Sequence, residues 1–573
     1  MATAINVLKQ NISELLSSGK NSKFVIPEYQ RPYDWTYEEI ETLFEDLWEF
    51  ASTSGGSEKD GTYFLGCIVS YKNENKENEI IDGQQRITSL FLLLRAIYTK
   101  LSTIENKTDS SKHFCKEIEN TIWMQNKLTG QVNYDKILLT SNVINNEGNK
   151  ILKNILKTGI ADTKAKDNYS QNYIKFQELF DEHAQTDPLR IYEFIYALLN
   201  QVIVLPITAD SQDTALTIFS TLNDRGKPLS DADIFKAKIY NHLTGTEKEE
   251  FISKWKSLEA EAKEANETIQ QLFYYYMFYL RAEENDKKTT TPGIRKYYSL
   301  NKFEKLYDSK LMNNLNLIMS FWNVVNLHET IENENWSKNI KILQSLDILT
   351  SYPNEFWKYP VIIYYLTYRN DEKFEKYFSI FLNKLILELL TKYLITPTVN
   401  AVKGDILKLN IEIRKSIIPN FEFKPIEMDY IKNSLDNPNR SIVRMLLKLL
   451  AYNNAKQDKL LPDKWEIEHI LPQKWQSNYF LNNSDEEIKE KIEHLGNKLP
   501  FEKRLNIVAG NGYFAKKQNE YKLSKIYITK EFQNHQNNEW KLDDIIKRDV
   551  LIAIEITNLL DNWEKTYQSF KNF

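Results

Sequence analysis

The sequence predicts a helix-rich α+β protein of several domains, and three observations carry that expectation. At 573 residues the chain is too long for one ordinary core, which implies roughly two to four domains. Glycine (16) and proline (15) are scarce while Leu, Ile, Lys, Glu and Asn abound, a mix that favours helices over a turn-rich all-β fold. The apolar pattern also changes character twice. Strands and helices mix over residues 1–245, helical spacing runs almost alone through 246–455, and strand signals return over 456–573.

Taken in order, Phe24–Ile26 is a short β-like run ended by Pro27, followed by a polar–aromatic loop over 28–35. Thr36 with Glu39 forms a capping-box pattern that opens a helix over 37–50. Residues 63–71 read as a strand and 79–82 as a shorter one. Gly83 breaks the second, and 87–101 follows as a strongly apolar helix. From about 106 to 170 the pattern turns polar and reads as helices joined by variable loops. Residues 201–208, QVIVLPIT, make the clearest buried strand in the chain. A short helix over 214–222 and the loop NDRGKP lead to Ser230 and Asp233, a second capping box before a helix over 234–243. Phrases such as IQQLFYYYMFYLRA and YFSIFLNKLILELLTKYLI, inside 246–455, are bundle helices. The last segment offers a short strand into His469, an Asn-rich loop and a Lys-rich helix from about Phe514.

Bulk properties bound the partners. With a formal charge of −5, any contact with nucleic acid must come from a local basic surface on a near-neutral body. Two cysteines, Cys67 and Cys115, exclude a disulfide scaffold and a four-cysteine zinc site, and fit a reducing, cytoplasmic location. The N-terminus lacks the apolar core of a signal peptide, and the greasiest run, 90–96, contains Arg95, so no membrane partner is expected.

Seven histidines leave few candidates for a histidine-based site. His469 stands out, in Glu468-His469-Ile-Leu-Pro472. An acidic residue beside a histidine at a strand end, then a proline turn, suits a ββα-metal nuclease. The neutral imidazole takes a proton from water attacking phosphorus, and the adjacent carboxylate holds one Mg²⁺. Downstream, Asn497 is expected to brace the loop, Asn506 or Asn511 to complete the metal shell, and Lys516 and Lys517 to meet the phosphodiester. A lone Glu-His pair is more often a surface strand end, and single Asn matches are cheap in an Asn-rich chain. His494 is the rival base, but without the His-x-x-Pro context it reads as surface.

At the other end, Asp82-Gly83-Gln84-Gln85-Arg86 sits between a strand and a helix. Gly83 permits the tight turn, the helix start offers free N–H groups to an anion, and Arg86 adds a planar cation suited to phosphate. Gln30-Arg31 repeats the Gln-Arg chemistry beside Tyr29, Tyr33 and Trp35, rings suited to stacking on a base or sugar. Taken alone, the pentapeptide is a capped helix start and Trp35 a core residue.

The ordered series of matches changes that weighting. Residues 465–524 resemble the HNH-type (His-Me finger) nuclease domain of the GmrSD family. The family pattern falls on Glu468, His469, Pro472, Gly496, Asn497, Asn506, Asn511, Phe514, Lys517, Tyr521 and Ser524. One departure is Lys498-Leu499-Pro500, where the family more often has an apolar or Thr stretch; a proline there is expected to redirect the strand. The N-terminal part resembles the same family's ParB/sulfiredoxin-like domain through IPEYQRPYDW at 26–35, DGQQRITSL at 82–90 and FSTLNDRGKPLSDAD at 219–233. The resemblance implies binding and hydrolysis of GTP or ATP at Asp82, Gly83, Gln84, Gln85 and Arg86, with Asn223, Arg225 and Asp233 lining or buttressing the cleft. It also implies that this half senses modified DNA, and Gln30, Arg31, Tyr33 and Trp35 are candidates for that contact. A Gly-rich P-loop is absent. Both modules in one chain are similar to SspE of phosphorothioate-dependent phage defence as well. The implied activity is anti-phage DNA cleavage by metal-assisted hydrolysis, with His469 as general base and Mg²⁺ or Mn²⁺ as cofactor. Alternatives are an NTP-dependent DNA-binding sensor without cleavage, or a nuclease toxin. The mark sensed, the preferred nucleotide and the oligomeric state, a homo-oligomer included, stay open.

Overall fold

Two stretches of β-branched sequence decide the N-terminal architecture. Residues Tyr63–Lys72 and Val202–Ala209 lie side by side as parallel strands, with Cys67 opposite Leu205 and Val69 opposite Ile207. The computed structural model describes residues 6–7, 9–17, 23–126, 128–143, 146–188, 190–222, 230–475, 480 and 483–571. Within these, the strands are β1 (Asn6–Val7), β2 (Gln10–Asn11), β3 (Phe24–Ile26), β4 (Tyr63–Lys72), β5 (Asn78–Asp82), β6 (Trp123–Gln125), β7 (Val132–Ile137), β8 (Leu139–Ser141) and β9 (Val202–Ala209). Seven form one mixed sheet in the order β1-β9-β4-β5-β3-β8, with β2 also on β9; β6 and β7 pair separately.

The polar stretch expected as helices and loops over 106–170 thus contains three strands. Their signal is weak because β7, VNYDKI, is exposed over most of its length and shows no apolar alternation, while β8 is only three residues long. Pairing, not local pattern, makes them strands: β8 runs parallel to β3, with Phe24 opposite Leu139.

Helix Gln84–Ser102 starts three residues before the expected position, because Gly83, at φ 88°, turns the chain directly into it. A Cβ at Gly83 would lie 2.9 Å from Ile68 Cγ1. This helix is apolar around nearly its whole circumference, with Ile87, Leu90, Phe91, Leu92, Leu93 and Leu94 fully buried, so it occupies the middle of the unit. Arg95 is tolerated there because its guanidinium donates to Leu156 O at 3.1 Å and lies over the Tyr98 and Trp123 rings. Both expected capping boxes are present, Thr36 with Glu39 and Ser230 with Asp233.

The chain divides into two compact units, Met1–Lys256 and Ser257–Phe573. The helical segment expected as its own domain over 246–455 therefore shares a unit with the segment expected over 456–573. The long helix Leu542–Lys571 explains this. It returns along the bundle helix Phe374–Ile395, where buried Lys384 pairs with Glu388 at 2.5 Å and also with Glu564. Among the described residues, no helix is long and apolar enough to cross a membrane.

Strands β10 (Trp465–His469) and β11 (Lys498–Glu502) form an antiparallel pair, with His469 opposite Lys498 and Ile467 opposite Pro500. Pro500 does not redirect the strand. Its carbonyl is taken by the Thr529 hydroxyl rather than by β10, so Pro500 sits where its missing N–H is not needed by the ladder.

Candidate functional site

The β10–β11 pair places His469 at a strand end, and the following turn is held by Asn497. Asn497 is fully buried. It accepts from Leu471 N at 2.7 Å and donates to Leu471 O and Ile492 O, both at 3.0 Å. Its side chain therefore fixes the loop that carries Pro472 rather than facing a substrate.

His469 opens into a cavity of about 390 Å³ lined also by Arg440, Arg444, Glu466, Gln473, Glu493 and Lys498. Burial pushes its imidazole down to about 4; the Glu493 carboxylate opposes that, and the Lys498 and Lys517 ammonium groups add to it. Glu493 Oε1 is 3.5 Å from His469 Nε2, and the Gln473 amide bridges the two at 3.4 Å and 3.1 Å. Glu493 stays low in the carboxylate range: burial works against its charge, but Lys498 at 3.0 Å outweighs it. The result is an imidazole in the lining of a polar cavity that is neutral at ordinary pH, with a ring nitrogen able to accept a proton.

Several expected partners of His469 are placed elsewhere. Glu468, expected as a metal ligand, alternates to the other face of β10 and is 3% exposed. It pairs with Lys517 at 2.7 Å and accepts from the Tyr521 hydroxyl at 2.8 Å. Lys517, expected at the phosphodiester, is 1% exposed and spends its ammonium on Glu468 and on His469 O. Burial pushes the Glu468 carboxyl up and the Lys517 ammonium down, and each partner's charge opposes the other's shift. Asn511 lies on an exposed turn and Lys516 on an exposed helix face. Asn506 reaches Glu466 at 3.5 Å. Among the described residues no three His, Cys, Asp or Glu side chains converge as a metal site. The Glu468 carboxylate expected to hold a divalent ion is engaged by Lys517 and Tyr521. His494 is not on the surface either: it is buried against Asp549 at 2.8 Å, and Asp549 also accepts from Gly496 N.

In the N-terminal unit, the turn after β5 brings Asp82, Gly83, Gln84 and Arg86 together with Arg31. Burial raises the Asp82 carboxyl, and the charges of Arg86 and Arg31 oppose that. Arg86 Nη1 donates to Cys67 O at 2.6 Å, passing Gly66, whose absent side chain leaves the room. Gln84 is buried, and its Oε1 has no donor among the described residues. Gln85 is used structurally: it accepts from Asp34 N at 2.8 Å and donates to Pro32 O at 3.0 Å. Asn223 and Arg225 lie outside the described residues, and Asp233 serves its capping box.

Those bonds pin the polar–aromatic loop, and three of its four candidate DNA-sensing residues are engaged within the fold. Gln30 is 2% exposed and donates to Ile81 O at 3.0 Å. Tyr33 is buried, bonded to Ser89 at 2.7 Å and stacked on Tyr169 at 5.0 Å. Trp35 packs against the core and borders a recess with Glu38, Glu39 and Asp46, carboxylates that repel a DNA backbone. Arg31 alone of the four is exposed.

Comparison with known proteins places this geometry. Residues 12–240 match the N-terminal domain of the GmrSD restriction endonuclease, and residues 422–554 match the C-terminal domain of these enzymes. The chain belongs to the GmrSD restriction endonuclease family. The GmrSD C-terminal match begins at 422, upstream of the expected boundary at 456, and so takes in Arg440 and Arg444. A curated relative, an uncharacterised protein of Methanocaldococcus jannaschii, is 25% identical over 263 residues, 42% of this chain and 43% of its own length. The chain thus spans under half the length of that relative.

The GmrSD motif residues His469, Asn497, Lys517 and Tyr521 could be found from sequence. Arg440, Arg444, Gln473, Glu493 and Lys498 were missed. The available signal was faint: Arg440 and Arg444 lie four apart at the start of an apolar helical run, and Gln473 follows Pro472 directly.

Proposed function

We propose that this GmrSD-family chain is an anti-phage DNA endonuclease whose N-terminal unit binds NTP and senses a DNA modification, and whose C-terminal unit cleaves with His469 as general base. The observation that carries the reading is His469 at a strand end in the lining of a polar cavity, beside Gln473 and Glu493, in a chain with both GmrSD restriction endonuclease domains. A neutral imidazole accepts the proton of an attacking water; Gln473 and Glu493, beside it, keep the ring oriented. NTP is assigned to the turn at Asp82–Arg86, where Gly83 allows close backbone approach, Arg31 and Arg86 supply positive charge and the Gln84 amide has hydrogen-bonding capacity to spare.

The test is cleavage of unmodified, glucosylated and phosphorothioated DNA, with and without GTP or ATP, in Mg²⁺, Mn²⁺ or chelator. Cleavage that depends on the DNA's modification state and disappears in His469→Ala supports the reading. NTP turnover without cleavage of any DNA overturns the nuclease half of it.

A further inference from the structure

The two carboxylates in the His469 cavity are each matched by a lysine. Glu493 pairs with Lys498 at 3.0 Å and Glu466 with Lys503 at 3.3 Å. The two arginines in the same lining have no such match: among the described residues neither Arg440 nor Arg444 makes an ion pair with a carboxylate. Both come from the end of the helical bundle, Arg440 from the single turn Arg440–Ile442 and Arg444 from helix Val443–Asn453. Both line the cavity that holds His469. Arg444 is half-buried and held in place: its guanidinium lies 3.9 Å from the centre of the Trp465 ring and donates to Trp465 O at 3.3 Å. Arg440 is exposed at the rim.

The Asp347 and Glu466 carboxylates attract the Arg444 guanidinium without pairing with it; partly desolvated and fixed by packing, it can still take an anion that arrives with the substrate. We infer that Arg444 and Arg440 are the phosphate grip of the nuclease site, Arg444 on the scissile phosphodiester opposite His469 and Arg440 on its neighbour along the strand. This rests on His469 being the base. It also places substrate-contacting residues in the bundle, upstream of the strand that bears the base.

The experiment measures binding of a short DNA duplex over a range of salt in a His469→Ala background, and cleavage kinetics in the otherwise native chain. Arg440→Ala is at an exposed position, and Arg444→Met keeps an apolar stem on Trp465, so both are expected to fold. Each substitution is expected to lower the slope of log affinity against log salt by about one. Arg444→Met lowers kcat/KM roughly a hundredfold, and Arg440→Ala raises KM more than it lowers kcat. Unchanged slopes and an unchanged KM overturn the grip. If the native chain cleaves nothing, the catalytic reading fails by itself. In that case a loss of slope in the binding arm still supports the grip, and an unchanged slope overturns it independently.

Discussion

His469 is uncharged for a reason that can be measured apart from catalysis. Its imidazole sits at about 4 in the folded chain, against about 6.5 when exposed. As pH falls below 6.5 the unfolded chain takes up this proton before the folded one does. The stability due to the buried neutral ring is therefore complete above 6.5 and is lost on the way down to about 4. His469→Gln removes that dependence, and its loss of stability between pH 7 and pH 4 should be smaller on the order of 3 kcal/mol. Urea unfolding at the two pH values checks it, and equal acid losses in both chains refute the burial argument. On the other face of the strand, Lys517→Met leaves Glu468 buried without its ammonium partner and should cost about 3–5 kcal/mol in thermal or urea unfolding. A normal unfolding midpoint with altered metal dependence would instead return Glu468 to the role of ligand.

Two turns carry the sites, and each depends on one residue. Gly83 has φ 88° and faces Ile68 at a distance that excludes a Cβ. Gly83→Ala should destabilise the first unit by about 1–3 kcal/mol and weaken NTP binding, read by calorimetric titration. Asn497 makes two hydrogen bonds to Leu471 in the His469 loop and a third to Ile492 O, tying that loop to the end of helix Asp485–Ile492. Asn497→Ala leaves a buried N–H and two buried carbonyls without partners, at a cost of roughly 2–4 kcal/mol. Cleavage should fall with it while affinity for DNA changes little; equal loss of both would mean that Asn497 contacts the substrate.

At the scale of the molecule, the C-terminal unit is one body because helix Leu542–Lys571 runs back along the bundle. A fragment covering 456–573 exposes the apolar face that this helix turns to the bundle, including Ile552, Ile556 and Leu560, which are at most 4% exposed in the whole chain. It should be insoluble or unfolded by near-UV circular dichroism, while 257–573 should unfold cooperatively. Independent folding of the shorter fragment would restore a separate nuclease domain. The overall charge of −5 also means that DNA attraction must come from a local basic surface rather than from the molecule as a whole.

The sequence alone determined whatever depends on local pattern. It marked the buried strand at β9, the two capping boxes, the glycine turn at Gly83 and the helical character of the middle, because each is written in residues adjacent in the chain. It also pointed to His469 and to the GmrSD resemblance through fixed spacings. Which of these residues face a cavity was decided by the tertiary structure. Glu468 and Lys517 have the composition of a metal ligand and a phosphate contact, yet strand alternation and helix packing turn them toward each other. Tyr33 and Gln30 look like a recognition loop, but Tyr33 is buried against helices and Gln30 against a strand, all distant in sequence. Arg440 and Arg444 look like ordinary surface residues of a bundle helix, and only the return of β10 beneath them makes them part of the site. Burial and charge pairing depend on contacts between residues far apart in the chain, and no local pattern encodes those contacts.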